Sequence, residues 1–326
     1  MSTGTRIEWT EATWNPATGC DRVSAGCDNC YALTLARRLK AMGSPKYQAD
    51  GNPATSGPGF AVTVHPDALD EPLRWRRPRR VFVNSMGDLF HPRVPDEFIA
   101  KVFAVMARTP QHTYQVLTKR HDRLRALLSR AAFRETAAPG TAWPLPNVWV
   151  GVSVEDQHWA EIRVPALLAT PAAVRFVSCE PLLGPVDLTR IPYQGDRDYV
   201  LDALDGRYGE REPRTLFSAG LAGLGQIDWV IAGGESGPGA RPMHPAWARS
   251  LRDQCTNTRR PVPFFFKQWG GWAPSGYVGI GNTQPNHVLI GDPVDDLGHR
   301  EKLVRVGKKA AGRELDGRTW DEYPNR

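Results

Sequence analysis

Three cysteines, Cys20, Cys27 and Cys30, fall within eleven residues of a 326-residue chain that holds five in all. An odd count with three members clustered is not a disulfide framework; in a reducing compartment such a cluster binds metal or does redox chemistry. A closed zinc site wants four protein ligands in short pairs, and no fourth Cys or His lies nearby; Cys179, His65 and His91 are distant. Three thiolates on one loop suit a [4Fe–4S] cluster with one iron left open for a substrate or cofactor. Zinc, and no metal at all, remain the alternatives.

A second set of chemical groups lies just past a series of apolar runs: NSMGD (84–88), TKR (118–120), SVED (153–156), SCEP (178–181), GGESG (233–237) and KQW (267–269). In α/β folds the carboxyl ends of strands carry the site. Side chains alternate along a strand, so Lys119, Ser153 with Glu155, Ser178 with Glu180, and Lys267 are expected to face one polar cavity. Gly233, Gly234 and Glu235 offer close backbone approach with free N–H groups, although such a string is also an ordinary strand-to-helix turn. By the same alternation Cys179 points the other way and is read, like Cys255 on an amphipathic helix, as a small buried hydrophobe.

The elements that must position these groups are strands alternating with helices. Apolar runs at 61–65, 80–84, 113–117, 148–152, 174–177, 228–232 and 263–267 alternate with helical periodicity at 95–107, 155–169 and 245–255. With residues 7–9 they make eight candidate strands, enough for a (β/α)8 TIM-like barrel with the cysteine loop after its first strand; an open doubly wound sheet is the alternative. The expected division is a barrel over residues 1–269, with a polar insertion near 190–226, and an extension over 270–326 packed on it.

Composition sets the class. Hydrophobic residues make up 41% and charged residues 23% of the chain, which excludes disorder. There is no apolar run of membrane-spanning length and no apolar leader, so a cytoplasmic protein is expected. The net charge of +6 is compatible with nucleic acid. The densest basic run holds Arg74, Arg76, Arg77, Arg79 and Arg80 around Trp75. It is read either as a solvated helix end or as a phosphate-contacting patch.

The strings IEWTEATWNPATGC, CDNCYA, NSMGDLFH, VLTKR, GVSVED, EPLLGPV, DWVIAGGESGPGARP, PFFFKQWG and LDGRTWDEYP span nearly the whole chain. They resemble the phage- and prophage-borne three-cysteine-motif proteins, which are in turn similar to radical S-adenosylmethionine enzymes of the spore photoproduct lyase type. The loop differs from the usual pattern of those enzymes in its first gap and in Asn29 before Cys30, with Tyr31 following. The resemblance implies a [4Fe–4S] cluster on the three cysteines, S-adenosylmethionine on its open iron and a DNA or RNA substrate; the Gly-Gly-Glu string that those enzymes carry early in their barrel comes late here, at 233–235. The residues expected to serve the site come from the cysteine loop and the strand ends: Tyr31, Ser153, Ser178, Gly233, Gly234 and Glu235 beside the cofactor, and Lys119, Glu155, Glu180 and Lys267 in catalysis. The non-catalytic alternative is a metal-stabilised nucleic-acid-binding or phage–host interaction protein; a cluster-free hydrolase using the paired acids is a third.

Overall fold

The structure, a computed structural model, describes residues 4–193, 196–210, 215–218, 224–277, 286–292 and 300–325. Seven parallel strands form the central sheet: β1 (Ala12–Trp14), β2 (Arg80–Val83), β3 (Thr113–Thr118), β4 (Val148–Ser153), β5 (Val174–Cys179), β6 (Trp229–Gly233) and β7 (Phe264–Gln268). They stand side by side in chain order, every pair parallel. The connections carry α1 (Tyr31–Ala41), α2 (Asp96–Arg108), α3 (His121–Ser129), α4 (Ala131–Ala137), α5 (Gln157–Leu168) and α6 (Pro245–Thr256).

Alternation sorts the strand side chains into two buried layers. Val81, Val83, Tyr114, Val116, Val150, Val177, Val230, Phe264 and Phe266 join the main core, shared with Ile99, Val102, Val164 and Leu251 of the helices. Phe82, Trp149, Phe176, Trp229, Ile231 and Phe265 point to the other face and close around Trp9. The Trp9 ring lies 4.6 Å from Phe82 on β2 and 6.2 Å from Trp229 on β6. Four strand spacings separate β2 from β6, about 19 Å in a flat sheet. One indole reaches both only because the sheet curls into a half-barrel.

It does not close. The expected eighth strand is absent, because Thr63–Val64 pairs antiparallel with Ala17–Thr18 outside the sheet. Residues 7–9 are not a strand; they lay Trp9 on the concave face. The two edges are covered by the chain termini, which removes the drive for them to pair with each other. Gly4 bridges Ala12 on β1 and Asp321 bridges Phe265 on β7. The Phe266 amide donates to the Trp320 carbonyl, 2.9 Å. Lys308 meets Glu8 at 2.8 Å, joining the two terminal segments.

The region expected as a polar insertion is a four-stranded antiparallel sheet of Ile191–Tyr193, Asp196–Asp202, Arg207–Glu210 and Thr215–Ser218. Its Ile191, Leu201, Ala203 and Leu204 enter the main core. After β7, Trp272–Pro274, His287–Ile290 and Glu301–Arg305 form a three-stranded antiparallel sheet. Among the described residues no helix is long and apolar enough to cross a membrane.

Candidate active site at the cysteine loop

At the carboxyl ends of the parallel strands the concave face opens into a cavity of about 600 Å³. Cys20, Cys27, Cys30 and Tyr31 line it on one side; Lys119, Ser153, Ser178, Glu180, Gly234, Glu235 and Lys267 line it from the strand ends. Four of the strand-end residues continue concave-face rows: Leu117 leads to Lys119, Phe176 to Ser178 and Glu180, Phe265 to Lys267. Glu180 accepts from Lys267 at 2.7 Å and from the Gln268 amide at 3.1 Å. Asn84 and Asp88 of the 84–88 strand end line the cavity as well, together with Asn15, which the sequence reading did not single out. Asp88 is fixed by the Thr118 hydroxyl at 2.7 Å and the Lys119 amide at 3.1 Å.

The cysteine loop is pinned from both sides. The Ser24 hydroxyl donates to Glu155 Oε1 at 2.7 Å, and a side chain on Gly26 would put its Cβ 2.4 Å from the Glu155 stem. On the other side Glu235 accepts from the Asn29 amide at 2.9 Å and from the Arg241 guanidinium at 2.6 Å, while Arg241 also donates to the Ala25 carbonyl at 2.8 Å. Glu235 is thus occupied as a loop anchor. Its carboxyl is held low: the hydrogen bonds and charge of Arg241, with Asn29, outweigh the opposing effect of burial.

Glu155 departs from expectation. Its side chain is fully buried behind the cavity wall, between Arg163 at 2.8 Å and Lys119. Burial alone would raise its carboxyl, but the charges of Lys119 and Arg163 and hydrogen bonds from Lys119 and Ser24 bring it below the usual range. Lys119 is tied to this carboxylate, so only its partly exposed edge faces the cavity. Gly233 also stays out of the lining, and Gly234 is required for packing: a Cβ there would sit 1.9 Å from the Trp269 carbonyl oxygen.

All three thiols line the cavity, Cys27 buried and Cys20 and Cys30 partly buried. Burial pushes Cys20 up, aided by Asp88 and the neighbouring sulfurs and opposed by Arg120, whose guanidinium lies 3.7 Å from the sulfur. Burial likewise raises Cys30, and Cys27 adds to it, against backbone N–H groups of Ala32 and Leu33. Cys179 and Cys255 are buried in the helix-side core, as alternation and periodicity predict.

Beside Cys20, Asp21 accepts from Thr55 at 2.6 Å, His91 at 2.9 Å and Arg93 at 3.0 Å. Burial works to raise this carboxyl, but the hydrogen bonds from Thr55, His91 and Ser56 and the charge of Arg93 win, taking it down to about 2. His91 Nδ1 accepts from the Arg93 amide, so Nε2 carries the proton given to Asp21. A depressed carboxyl contributes stability that is present above the unfolded value, about 3.9, and is lost as pH falls through the folded one. Asp21→Asn is therefore expected to flatten the loss of stability between about pH 4 and pH 2. Urea titrations across that window measure it, and parallel curves for both proteins would refute the assignment.

Residues 4–324 match the family described as "Protein of unknown function (DUF5131)". The chain belongs to that family. No curated protein matches it. Among solved structures it is similar to a cysteine-to-serine mutant of spore photoproduct lyase, with 11% identity over 94% of this chain and 72% of that one, TM-score 0.38. It is also similar to spore photoproduct lyase complexed with dinucleoside spore photoproduct, with 10% identity over 94% and 71%, TM-score 0.38.

The basic run of this DUF5131 member does not border the cavity. Arg80 opens β2 at the end opposite Asn84 and Ser85, so Arg74, Arg76, Arg77, Arg79 and Arg80 lie at the amino-terminal side of the sheet. Arg79 stacks on Trp75 at 5.4 Å; Arg80 stacks on Tyr323 at 4.1 Å and pairs with Glu11 at 3.5 Å. Tyr31 donates its hydroxyl to the Ser85 carbonyl at 2.6 Å. Of the residues that sequence reasoning missed, Arg163 left a signal. It falls on the apolar stripe of α5 with Ala160, Val164 and Leu167, where a cation needs a buried partner.

Proposed function

We propose that this protein is an iron–sulfur enzyme of the radical S-adenosylmethionine-like kind acting on nucleic acid, with Cys20, Cys27 and Cys30 as the metal ligands. The observation that carries the reading is the opening of three thiols from one pinned loop onto the cavity at the strand ends. In this reading residues 1–269 carry the chemistry and 270–326 are an extension packed on them.

The donor set fits the group. Three soft sulfur ligands suit iron–sulfur clusters, and a thiol that joins such a cationic centre gives up its proton and binds as thiolate. Among the described residues no three His, Cys, Asp or Glu side chains are already drawn together as a metal site. Binding therefore has to gather the three sulfurs. When bound, the cluster supplies one-electron reduction of S-adenosylmethionine.

The protein's own residues do the remaining work. Lys267 and Glu180, paired at 2.7 Å with side chains 12% and 18% exposed, present a cation and an acceptor to the cavity. Lys267 can neutralise a carboxylate or phosphate, and Glu180 can hold an amine or ribose hydroxyls. Ser153 and Ser178 add hydroxyls from β4 and β5. The aromatic layer of Trp9, Phe82, Phe176 and Trp229 closes the floor and excludes water from below.

Anaerobically purified protein is expected to carry about four irons per chain and to change its visible spectrum on titration with S-adenosylmethionine. Lys267→Ala and Glu180→Ala should keep the iron and weaken that titration by about 10-fold or more, the loss of one charge-assisted hydrogen bond. Glu301→Ala, outside the cavity, serves as control. Stoichiometric zinc without iron would overturn the proposal in favour of a metal-stabilised binding protein.

A further inference from the structure

The cavity mouth has a rim that no part of the preceding reading uses. Helix α1 starts directly after Cys30 and exposes Tyr31 (49%) and Leu35 (37%), with Met42 (69%) just past its end and Val23 (37%) on the cysteine loop. Tyr31, Leu35, Arg38 and Met42 follow the i, i+4, i+7, i+11 spacing of one helical stripe. Tyr31, Leu35 and Val23 also line the cavity, so the stripe is continuous with its opening. The apolar groups that would ordinarily be buried face solvent where the cavity opens.

The charges of this rim are of one sign. Helix α1 has no acidic residue in its sequence YALTLARRLKA. Arg22 and Arg38 are exposed, and among the described residues their side chains have no ion pair or hydrogen bond. The neighbouring acids are engaged: Asp28 by Arg241 at 3.4 Å and Asp21 by Arg93 at 3.0 Å. Lys40 is engaged by Asp50. The 74–80 run also exposes Arg74, Arg76 and Arg77, but it lies at the opposite end of the sheet from the cavity, and there Arg79 and Arg80 are stacked on rings.

From the unpaired arginines, the exposed ring and their continuity with the cavity, we infer that the rim formed by Arg22, Tyr31, Leu35 and Arg38 is the landing surface for a single-stranded segment of nucleic acid. This rests on the nucleic-acid part of the proposed function and moves the contact away from residues 74–80. Arginines track the phosphates, and an exposed aromatic is a stacking platform for an unpaired base. The Tyr31 ring is already held for that task, because its hydroxyl is tethered to the Ser85 carbonyl at 2.6 Å. A base inside a duplex cannot enter a site of this size without leaving the stack, so a single strand or an extruded base is the form that fits.

The test is fluorescence anisotropy of the purified full chain with short labelled oligonucleotides: single-stranded DNA, single-stranded RNA of the same sequence, and the DNA duplex. The wild-type protein is expected to bind a single strand more tightly than the duplex. Tyr31→Ala should weaken that binding by about 10-fold. Arg22→Ala/Arg38→Ala should lower the log–log salt slope by about 1.4, at about 0.7 per phosphate contact. Arg74→Ala/Arg76→Ala/Arg77→Ala should leave both affinity and slope unchanged. Loss of binding in the last variant with retention in the other two would overturn the rim while leaving nucleic acid as partner; duplex-only binding would do the same. No binding of any oligonucleotide by the wild-type protein would overturn both readings.

Discussion

Replacing Glu155 by alanine is expected to destabilise the protein by about 3–5 kcal/mol, the loss seen when one partner of a buried charge pair is removed. The magnitude follows from what is left behind. Lys119 is 19% exposed at its side chain and can turn to solvent, but Arg163 is fully buried and among the described residues forms no ion pair with another acid. Its remaining contacts are the Ser153 carbonyl at 2.7 Å and the face of Trp159 at 3.9 Å. Neither neutralises a guanidinium. Ser24→Ala, which removes one hydrogen bond at the same carboxylate, should cost only about 1 kcal/mol. Urea denaturation of the two variants checks the pair of values, and a Glu155→Ala loss below about 1 kcal/mol would refute the buried-triad account. Replacing both Glu155 and Arg163 by apolar residues should recover much of the loss, since no charge is then stranded. The same carboxyl gives a pH signature. It lies below its unfolded value, about 4.3, so its contribution is intact above that pH and is lost as pH falls through the folded value.

Glu155 also shows where a sequence stops being legible. Alternation places Ser153 correctly, along with Lys119, Ser178, Glu180 and Lys267, because all continue a concave-face row set by buried aromatics and Leu117. It fails two residues beyond Ser153 because the strand has ended. The Val154 amide still donates to the Ser178 carbonyl at 2.9 Å, but Asp156 already caps α5, accepting from the Trp159 amide at 3.1 Å. Between those two constraints the chain turns Glu155 under the cysteine loop. Period-two reasoning holds only while the backbone is extended.

The missing eighth strand has a similar cause. The 61–65 run has the composition of a strand and becomes one, yet its partner is Ala17–Thr18, and nothing in local composition names a partner. Six of the seven sheet strands were legible as apolar runs between helices. The short β1 was not, since its three residues follow Trp9, whose ring is a core element reached by tertiary contact. The loop anchors were hidden for the same reason: Glu235 and Asn29 lie 206 residues apart in sequence, and only the folded sheet brings them to 2.9 Å.

Replacing Cys20, Cys27 or Cys30 singly by alanine is expected to remove most or all of the iron from anaerobically purified protein, while Cys255→Ala leaves it intact. The contrast is set by location, since the first three sulfurs open onto one cavity and Cys255 is enclosed in the helix-side core. Each of the three should matter about equally, because a cluster held by three protein thiolates keeps no redundant ligand. Fold loss is separable from ligand loss. Ser24, Glu155, Asn29, Glu235 and Arg241 hold the loop through groups other than the sulfurs. The three variants should therefore keep the wild-type urea midpoint of iron-free protein even as their iron content falls. Removing Arg241 is the complementary case: the sulfurs remain, but the Ala25 carbonyl and Glu235 lose their donor, so iron should be retained less firmly against a chelator. Iron analysis of the four cysteine variants decides the matter. Full iron in any one of Cys20→Ala, Cys27→Ala or Cys30→Ala would remove that sulfur from the ligand set, and full iron in all three would place the metal elsewhere.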